Sequence, residues 1–562
     1  MAEEQARDRG VSMATIVYGV KDLERDLGSV KEIEEHVQDL GMEIEVPGND
    51  EITFDISPNR PDLLDYTGFV RAYRYLLGKS APDLGKYIAH DGAAPSVTVT
   101  RSVKGVRPFI AAMVVKNVNL GGGRLKYLIN FTEKFSTTYG RKRRKIAMGL
   151  HDLEAVRGDL VYDASADGRF MPLGSNDEMT FDEIVERHSK GLEYGYTVVK
   201  KGGKALYPYL KDSEKILSMI PIINSKATAV RESTTSLFVD ITGIDKKAVE
   251  RALDILACSF IDSGCEIYKC RISYGNGTEH TPHLGSRRIA VSPAKASSRI
   301  GVAMKVKDMP AYAAKAGYEA SIEGNKLVVR VPPYRLDVIN DQDVIEDIAI
   351  GYGYSNIAPS QIFGMDSVGV PHKNSETRIA LEELMIGLGY NEALNMHLTN
   401  EDINFSKMEI EHHSGTAVEV LESKTEAITM LRTSLLPQLL QNLSESTSER
   451  MPQKLFEVGS SFMVEGGKVI EDITIAFLSE HSKANLAEAR TVVNYILGKL
   501  GMKADLGEGA DSSMIGGRTG IVTVNGIRRG AFGELHPKVL SNFGIEEPVV
   551  GGEIVISHDV RR

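Results

Sequence analysis

The sequence is poor in cysteine, and its three cysteines, Cys258, Cys265 and Cys270, form no CxxC pair. No histidine spacing typical of a zinc site flanks them, so we expect no structural zinc. An odd number of scattered cysteines fits reduced thiols in a cytosolic protein. We therefore expect a cytoplasmic location.

Long apolar runs are also missing. No run approaches the ~20 residues that a membrane helix needs, so we expect no membrane partner. The first residues, MAEEQARDRG, contain neither a basic segment nor an apolar segment typical of a secretory signal. Residues 1–12 precede the first patterned stretch, and we expect them to form a disordered extension.

Familiar catalytic motifs are absent as well. The sequence contains no GxxxxGK[ST], GxGxxG, GxSxG or HExxH, which argues against the usual phosphate loops, serine nucleophiles and zinc hydrolases. The net charge of −11 means that nucleic acid would have to bind through a local patch. The densest basic patch, RKRRK at 141–145, either contacts phosphate or is a solvated loop.

The length of 562 residues is too great for one hydrophobic core and predicts several domains. Stretches of strand-like alternation are interspersed with helical periodicity, which predicts a multidomain α+β fold. We expect a small α+β domain, a mixed α/β domain, a small helix-plus-hairpin domain, and an antiparallel sheet with helices, at 13–92, 93–276, 277–358 and 359–562.

Several local patterns make more specific predictions. Apolar spacing predicts helices within YTGFVRAYRYLLG, DKKAVERALDILACSFIDSG and TSLLPQLLQNL, the last behind a Thr433 or Ser434 cap. DGAAPSVTVT reads as a linker, and Asp308 as the cap of a short helix that ends at Gly317. EASIEGNKLVVRV and the Asn525-Gly526 pair predict hairpins.

The stretch RLDVINDQDVIED, residues 335–347, concentrates five carboxylates. Helical spacings of three and four place Asp343, Glu346 and Asp347 on one outward face, opposite an apolar stripe. Oxygen ligands without histidine or thiolate suit magnesium or calcium. The alternative is a solvated acidic face near a helix N-terminus, where the macrodipole favours negative charge.

Taken together, a set of motifs spread along the chain resembles the beta-subunit family of phenylalanyl-tRNA synthetases. The resemblance runs from about Ala14 nearly to the C-terminus, and the length is similar to the shorter archaeal and eukaryotic-type form. The motifs are SPNRPDLL, GRKRRKIAMGLHDL, PIIN, LFVDITGID, VPPYRLDVINDQDVIEDIAIGYGYSNI, LRTSLLPQLL, LFEVG and GELHPKVLSNFGI.

This resemblance implies a subunit of phenylalanine–tRNA ligase, which joins phenylalanine to tRNA(Phe) with ATP. In the family the aminoacylation site belongs to the alpha subunit of an α2β2 tetramer, so ATP and phenylalanine would bind through that partner. The C-terminal part would be a class II catalytic module that has lost function. LRTS stands where an ATP-clamping arginine–acid pair is expected, so no residue here is expected to catalyse aminoacylation.

The resemblance also implies a magnesium ion in the small third domain. The family's ligand positions match Asp337, Asp343, Glu346 and Asp347. Such an ion would be architectural and distant from the chemistry.

A second implied function is the hydrolysis of mischarged Tyr-tRNA(Phe) at an editing site, with Asp240, Thr242 and Asn224 as pocket residues. In SLFVDITG, strand alternation places Phe238, Asp240 and Thr242 on one face. Phe238 would form an aromatic wall of the pocket, and Asp240 and Thr242 would be polar groups that recognise the substrate. A half-exposed edge strand is the plain alternative. Two rival functions remain: a structural or RNA-binding subunit with an inactive pocket, and a free-standing magnesium-dependent hydrolase.

Overall fold

The computed structural model describes residues 14–45, 50–201, 204–275, 277–359, 369–412, 415–421, 423 and 425–560. The chain divides into two units, Met1–Gln361 and Ile362–Arg562. This division lies close to the predicted start of the last domain at residue 359. The predicted extension at 1–12 lies outside the described residues.

The first unit begins with a small antiparallel sheet and helices: β1 (Ala14–Gly19), α1 (Val20–Asp26), α2 (Val30–His36), β2 (Met42–Glu45), β3 (Glu51–Ile56) and α3 (Tyr66–Leu76). The strand order is β1-β3-β2. Asp65 caps α3, because its carboxylate accepts a hydrogen bond from the backbone N–H of Gly68 at 2.9 Å. Helix α3 buries Phe69, Tyr73 and Leu76, which confirms the predicted amphipathic helix.

The second domain carries most strands of the first unit. Its strands are β4 (Ala89–His90), β5 (Val97–Val99), β6 (Phe109–Lys116), β7 (Ile146–Asp152), β8 (Leu160–Ser165), β9 (Arg169–Phe170), β10 (Met179–Thr180), β11 (Val199–Lys201), β12 (Lys204–Lys211), β13 (Ile216–Met219), β14 (Ile223–Asn224), β15 (Ser236–Gly243), β16 (Glu266–Tyr274) and β17 (Gly277–Thr281). Its helices are α4 (Arg124–Thr137), α5 (Phe181–Arg187), α6 (Ser189–Tyr194) and α7 (Lys246–Asp262).

Twelve of these described strands join one sheet, in the order β14-β13-β12-β8-β5-β16-β6-β15-β7, with β11 beside β12 and with β4 and β17 beside β16. Strands β9 and β10 pair separately. The sheet reaches past both ends of the predicted 93–276 domain. DGAAPSVTVT is only partly a linker, because its last residues form β5, which pairs in parallel with β8 and β16.

The third domain contains β18 (Arg287–Val291), α8 (Pro293–Ile300), α9 (Met309–Lys315), β19 (Glu319–Glu323), β20 (Lys326–Val331) and α10 (Asp341–Tyr352). The predicted hairpin is confirmed, since Glu323 pairs with Lys326 across its turn. Asp308 does precede α9, but its side chain makes no capping hydrogen bond, so that predicted cap is wrong. Helix α9 ends shortly before Gly317, which has the positive φ of +88° expected at a helix end.

The second unit contains α11 (Lys373–Gly387), β21 (Asn391–Glu392), β22 (Leu398–Thr399), β23 (Met430–Leu431), α12 (Leu436–Glu445), β24 (Gln453–Glu465), β25 (Lys468–Glu480), α13 (Leu486–Leu500), β26 (Asp505–Glu508), β27 (Met514–Val524), β28 (Ile527–Leu535), α14 (Pro537–Phe543) and β29 (Val549–Val560). The main sheet has the order β21-β24-β25-β29-β28-β27-β26 and is antiparallel except for β21 against β24.

Two predictions for this unit are confirmed. Asn525 and Gly526, both at positive φ, form the two-residue turn between β27 and β28. The leucines of α12 are buried in a core that includes Ala476 and Leu478 of β25. Of the two predicted caps, Ser434 does contact the helix end: Leu435 occupies the N-cap position, but Ser434 Oγ accepts from the backbone N–H of Leu436 at 3.2 Å.

Short helical turns complete the two units. Those of the 3-10 type are Val37–Leu40, Pro61–Leu64, Arg101–Gly105, Leu153–Ala155, Gly195–Thr197, Lys226–Thr228 and Tyr354–Asn356, and a π-helical turn lies at Asp402–Ser406. In the described part of the chain, no helix combines the length and the apolar character that crossing a membrane requires. The three cysteines are free and buried.

Candidate active site

Strand β15 supplies Asp240 and Thr242 from the interior of the large sheet. It is hydrogen-bonded to β6 on one side and to β7 on the other, with Asp240 opposite Ala112 and Gly149. Both polar side chains are buried, at 2% and 1% exposure. The alternative of a half-exposed edge strand is therefore wrong.

The two faces of β15 pack into different cores. Leu237, Val239 and Ile241 join the core that contains helix α7, as the alternation predicts. Phe238 is fully buried in a second core and is not part of the cavity wall described next. The prediction that it forms an aromatic wall of the pocket is wrong, because its ring is enclosed by that core and does not line the cavity.

A cavity of about 490 Å³ adjoins β15, and its wall contains all three sequence-predicted residues, Asp240, Thr242 and Asn224. This volume lies in the ~300–1,000 Å³ range of small-molecule sites. The rest of the wall comes from helix α4, the start of α6, strand β7 and the segment around β13 and β14; it includes Ile129, Glu133, Arg143, Met148, Gly149, Leu150, His188, Lys190 and residues 218–223.

The carboxylate of Asp240 is held by a buried histidine. Nε2 of His151 lies 3.1 Å from Asp240 Oδ1, and Nδ1 of the same ring lies 2.8 Å from Thr228 Oγ1. An ionised carboxylate only accepts hydrogen bonds, so Nε2 carries the proton and Nδ1 accepts from the Thr228 hydroxyl when the ring is neutral. Asp240 Oδ2 makes no hydrogen bond to any described residue.

Gly149 makes room for this carboxylate on the neighbouring strand. A Cβ at this position would lie 2.3 Å from Asp240 Oδ1 and 3.2 Å from Oδ2. Any side chain at residue 149 would therefore displace the carboxylate or the strand. The motif MGLHDL thus supplies both the space for Asp240, from Gly149, and the histidine that orients it.

Thr242 is fixed by a buried arginine. Nε of Arg107 donates to Thr242 Oγ1 at 3.0 Å, and Nη2 donates to the Thr242 carbonyl at 2.8 Å. Arg107 is 4% exposed, and burial lowers its pKa to about 10. Because Oγ1 accepts from Arg107, the hydroxyl hydrogen of Thr242 stays available to donate.

Asn224 and Ser218 add polar atoms to the wall. Asn224 Nδ2 donates to the Leu150 carbonyl at 3.1 Å, which leaves Oδ1 without a partner among the described residues. Ser218 is 2% exposed, and its Oγ has no hydrogen-bond partner in the described chain. Sequence reasoning missed Ser218; the only signal was a lone serine in the apolar stretch ILSMIPII.

The basic patch 141–145, here called the basic turn, has an unusual backbone. Arg141, Lys142 and Arg143 have φ values of 52°, 52° and 65°, three consecutive non-glycine residues in the left-handed region. Each such residue costs about 1–2 kcal/mol. Hydrogen bonds from their backbone N–H groups to the last turn of α4, at 2.7–2.9 Å, hold the conformation.

The basic turn is also tied to the cavity. Nη1 of Arg143 donates to the carbonyls of Pro221 and Ile222, both at 2.9 Å, so this side chain turns inward and lines the cavity. Arg107, the residue that fixes Thr242, donates through Nη1 to the Arg143 carbonyl at 3.0 Å. One buried arginine therefore connects the cavity wall to the strained backbone.

The acidic helix α10 is arranged differently from the sequence expectation. Its apolar stripe is buried as predicted, but Asp347 is also buried, at 6% exposure. Asp347 Oδ2 accepts from Arg335 Nη2 at 2.7 Å and from the hydroxyl of Tyr318. The expectation that Asp347 faces outward is wrong, because Arg335 folds back onto this face of the helix.

The other acidic residues also have partners of their own. Asp337 accepts from Arg335 Nε and Nη2 at 2.9 and 2.6 Å, and Asp343 accepts from two backbone N–H groups in a capping box. Glu346 is exposed. Asp341, outside the predicted ligand set, pairs with Lys295 at 2.6 Å.

These contacts test whether the four predicted ligands fit a magnesium ion. Within the described ranges, no group of three or more His, Cys, Asp or Glu side chains could hold a metal. Two of the four carboxylates already neutralise the guanidinium of Arg335. Asp337, Asp343, Glu346 and Asp347 therefore do not fit a shared magnesium site in this arrangement, and magnesium stays a prediction.

Comparison with known proteins decides the family. The phenylalanine–tRNA ligase beta subunit of Archaeoglobus fulgidus is 38% identical over 540 residues, which cover 95% of this chain and 97% of that protein. The chain belongs to the phenylalanine–tRNA ligase beta subunit family. The beta subunit of Pyrococcus abyssi is 34% identical over 505 residues, 89% of each chain.

Family models and a solved structure agree with this membership. The B3/4 domain model matches residues 95–258, the tRNA synthetase B5 domain model 289–354, and the phenylalanyl tRNA synthetase beta chain CLM domain model 359–556. An N-terminal fragment of the beta subunit from Pyrococcus horikoshii is 31% identical, with a TM-score of 0.57, and covers 60% of this chain and 100% of that chain. The cavity thus lies in the B3/4 domain and the acidic helix in the B5 domain.

In the beta subunit's CLM domain, the arginine of LRTS is enclosed by protein. Arg432 is 1% exposed and donates to Glu457 Oε1 at 2.7 Å, to Gln438 Oε1 at 3.0 Å and to the Ser460 carbonyl at 2.9 Å. These three partners bind Nε and Nη1 of the guanidinium. An arginine bound in this way has little capacity left to clamp a nucleotide.

Proposed function

We propose that this chain acts in the cytoplasm as the beta subunit of a phenylalanine–tRNA ligase and that its B3/4 cavity hydrolyses mischarged Tyr-tRNA(Phe). The observation that carries the proposal is the cavity itself. It brings Asp240, Thr242 and Asn224 together with the unpartnered hydroxyl of Ser218, from three separate segments of the chain.

A separate hydrolytic site answers a selectivity problem. Tyrosine is phenylalanine with one added hydroxyl, and an apolar synthetic pocket rejects such an analogue only ~100-fold. A pocket built to hydrogen-bond that hydroxyl discriminates in the opposite direction by ~10⁴–10⁵, because its polar groups stay unpaired with the wrong substrate. A second site that requires the hydroxyl therefore removes tyrosine and spares phenylalanine.

Asp240 is suited to read this hydroxyl. Its Oδ1 is held by His151 at 3.1 Å, and its Oδ2 has no partner among the described residues. A phenol O–H that donates to Oδ2 would gain a charge-assisted hydrogen bond without disturbing His151. Phenylalanine has no such donor. If Oδ2 instead bound the α-amino group, which both substrates carry, this selectivity would be lost.

The remaining polar groups fit an ester substrate. Thr242 keeps its hydroxyl hydrogen for donation, and Asn224 Oδ1 and Ser218 Oγ are free to contact substrate or water. No base among the described residues lies within hydrogen-bonding distance of Ser218 Oγ, so Ser218 is not an activated nucleophile. We therefore infer direct attack of water on the ester carbonyl, which releases tyrosine and tRNA.

The second unit is proposed to serve as a packing partner for the alpha subunit in an α2β2 tetramer. ATP and phenylalanine would bind to the alpha subunit. Support comes from Arg432, which is buried and binds three partners inside the fold through Nε and Nη1. Purification of the native protein tests this part: the alpha chain should co-purify, and the beta chain alone should not charge tRNA.

The editing proposal is tested with Asp240→Asn in the complex with the alpha subunit. Asparagine keeps the shape but loses the charge, and we expect hydrolysis of Tyr-tRNA(Phe) to fall by about 100-fold, the effect of losing one preorganised polar group. The rate of charging tRNA(Phe) with phenylalanine should stay within about twofold of the rate of the unsubstituted complex, which corresponds to well under ~1.4 kcal/mol in activation free energy.

Asp163→Asn is the matched control. Asp163 lies in β8 of the same sheet, accepts from Thr100 Oγ1 at 2.6 Å and is not among the residues lining the cavity. Normal hydrolysis by Asp240→Asn would remove Asp240 from the mechanism. If the unsubstituted complex itself failed to hydrolyse Tyr-tRNA(Phe), the structural or RNA-binding alternative would replace the editing proposal.

A further inference from the structure

We propose that the basic turn, residues 141–145, binds the phosphates of the single-stranded 3′ end of tRNA and so delivers the aminoacyl ester to the cavity. This inference rests on the proposed editing function and adds the surface by which the site takes its substrate. Four observations support it: the unpaired charge of the turn, its left-handed backbone held by surrounding contacts, its location beside the cavity and an adjacent aromatic ring.

The charge of the basic turn is largely unneutralised. Arg141, Lys142 and Arg144 are exposed, and none of them forms an ion pair with a described residue. Lys145 alone in this turn has an acidic partner among the described residues, Asp245, at 3.7 Å. In a chain with a net charge of −11, a concentrated cationic surface of this kind is what a polyanion requires.

The backbone shows that this surface is specifically built. Three consecutive left-handed residues persist only where surrounding contacts hold them, and here the contacts come from α4 and from Arg107. The result separates the side chains. Arg143 turns inward to the carbonyls of Pro221 and Ile222, whereas its cationic neighbours stay exposed.

The position of the basic turn matches a route into the cavity. Arg143 belongs to the cavity wall together with Asp240 and Thr242. Its cationic neighbours line a second depression, whose lining is completed by Thr137, Ile244 and one carboxylate, Asp245, the partner of Lys145. A strand whose terminal ester lies in the cavity would therefore have its preceding phosphates beside these cations.

An exposed aromatic ring distinguishes a nucleic acid from other anions. The Tyr196 side chain is 47% exposed, its hydroxyl donates to the Lys142 carbonyl at 2.5 Å, and the Arg144 guanidinium lies 4.9 Å from its ring centroid. Cations beside an aromatic ring are the combination that binds single-stranded nucleic acid, because bases stack on the ring while phosphates meet the charge.

The test is the triple variant Arg141→Asn, Lys142→Asn, Arg144→Gln in the complex with the alpha subunit. Asparagine is used at the first two positions because it tolerates the left-handed backbone. Arg101→Gln, Lys104→Gln, Arg271→Gln is the matched control, since it removes three exposed cations elsewhere in the same domain.

Two measurements decide the outcome. For Tyr-tRNA(Phe) hydrolysis, we expect KM to rise about tenfold with kcat nearly unchanged, while hydrolysis of the tyrosyl ester of adenosine, which lacks phosphates, stays normal. For a labelled single-stranded RNA ending in CCA, the slope of log affinity against log salt should become shallower by about 2, at ~0.7 per lost phosphate contact.

An unchanged KM and salt slope, equal to those of the control variant, would overturn the docking proposal. Loss of alpha-subunit association with normal RNA binding would also overturn it and would assign the surface to an acidic protein partner. If the unsubstituted complex hydrolysed neither ester, the editing function would fail, yet the RNA-binding measurement would still decide the role of the basic turn.

Discussion

Two regions of the first unit contain buried carboxylates, and their polar groups are used in opposite ways. Beside the cavity, Asp240 is held at one oxygen by His151 and keeps the other free. In the third domain, Asp337 and Asp347 are both bound by Arg335, the latter also by Tyr318. The first region has unused hydrogen-bonding capacity next to a cavity, whereas the second has satisfied it internally.

Both regions use aspartate, so residue type does not distinguish them. Unused hydrogen-bonding capacity does distinguish the candidate site from the structural cluster. A buried polar group that lacks a partner is costly to the fold, so its presence beside a cavity suggests that a ligand completes it. A buried carboxylate with a cation at 2.7 Å is already complete. Changes that remove partners should therefore affect stability in the third domain and hydrolysis in the second.

The largest effect is expected from Arg335→Met, which leaves the buried Asp347 without its cation and leaves the partly buried Asp337 with only the more distant Arg60. Removing one partner of a buried ion pair costs about 3–5 kcal/mol, because the remaining charge stays buried and unpaired. Urea denaturation followed by circular dichroism measures the loss.

Lys295→Met is the control for this change, since the Lys295–Asp341 pair is 41% and 30% exposed at its side chains and should contribute about 0–1 kcal/mol. Equal losses for Arg335→Met and Lys295→Met would show that the cluster around Arg335 contributes no more than a surface pair.

Asp254 sharpens the comparison because it is a buried carboxylate held by the backbone N–H groups of His283 and Leu284, with no ion-pair partner in the part of the chain that the structure describes. Burial raises its pKa to about 6 from an ordinary 3.8; the nearby Glu250 adds to this rise, while charged His283 opposes it. A raised pKa means that the stability contributed by the protonated form is complete below pH ~4 and is lost as pH rises through about 6.

Asp254→Asn should therefore stabilise the protein at pH 8 by about 2–3 kcal/mol and have little effect at pH 4, since one pKa unit corresponds to ~1.4 kcal/mol. Thermal unfolding at both pH values is the measurement. A variant that is equally stabilised at both values would contradict titration of Asp254 as the cause.

Ser218→Ala tests the cavity side of the comparison. Because Ser218 Oγ has no partner in the described chain, its removal should change the free energy of unfolding by less than about 1 kcal/mol, in the stabilising direction. Hydrolysis of Tyr-tRNA(Phe) should nevertheless fall about tenfold, the equivalent of ~1.4 kcal/mol in transition-state binding.

Ser259→Ala is the contrasting variant, since Ser259 donates to the buried Asp65 and its loss should destabilise the fold. If Ser218→Ala were the more destabilising of the two, Ser218 would be a structural residue and not part of the pocket.

The smallest effect is expected from chelation of divalent metals. With Asp337 and Asp347 bound to Arg335, EDTA should shift the free energy of unfolding by less than about 0.5 kcal/mol, the range of changes away from structural features. A clear loss of stability after EDTA treatment of the unsubstituted protein would instead support the predicted magnesium site, provided that the double variant Asp343→Ala, Glu346→Ala showed no such loss.

Local patterns predicted much of this fold correctly. Alternation in SLFVDITG separated the faces of β15, helical spacing identified α3, α7 and α12, and Asn525-Gly526 marked a hairpin. These features depend on residues close in sequence, where periodicity carries the information. The predicted linker failed at Val97–Val99 because its pairing with distant strands overrode its turn-like composition.

The candidate site was predicted only in part for the same reason. Asp240 and Thr242 share one strand, but their partners His151 and Arg107 lie 89 and 135 residues away in sequence. The acidic helix failed for a different reason. Spacing grouped Asp343, Glu346 and Asp347 correctly but placed Asp347 outward, whereas it is buried, because Arg335, just before the helix, folds back and pairs with it.

Gly149 has a consequence for how proofreading and charging could be separated genetically. A methyl group at this position would collide with Asp240 Oδ1 at 2.3 Å, without removing any polar atom from the cavity. On the editing function proposed above, a Gly149→Ala allele would thus impair error correction through shape alone. Cells carrying it would then insert tyrosine at phenylalanine codons while charging with phenylalanine continued, so translational fidelity would depend on a hydrogen atom in place of a side chain.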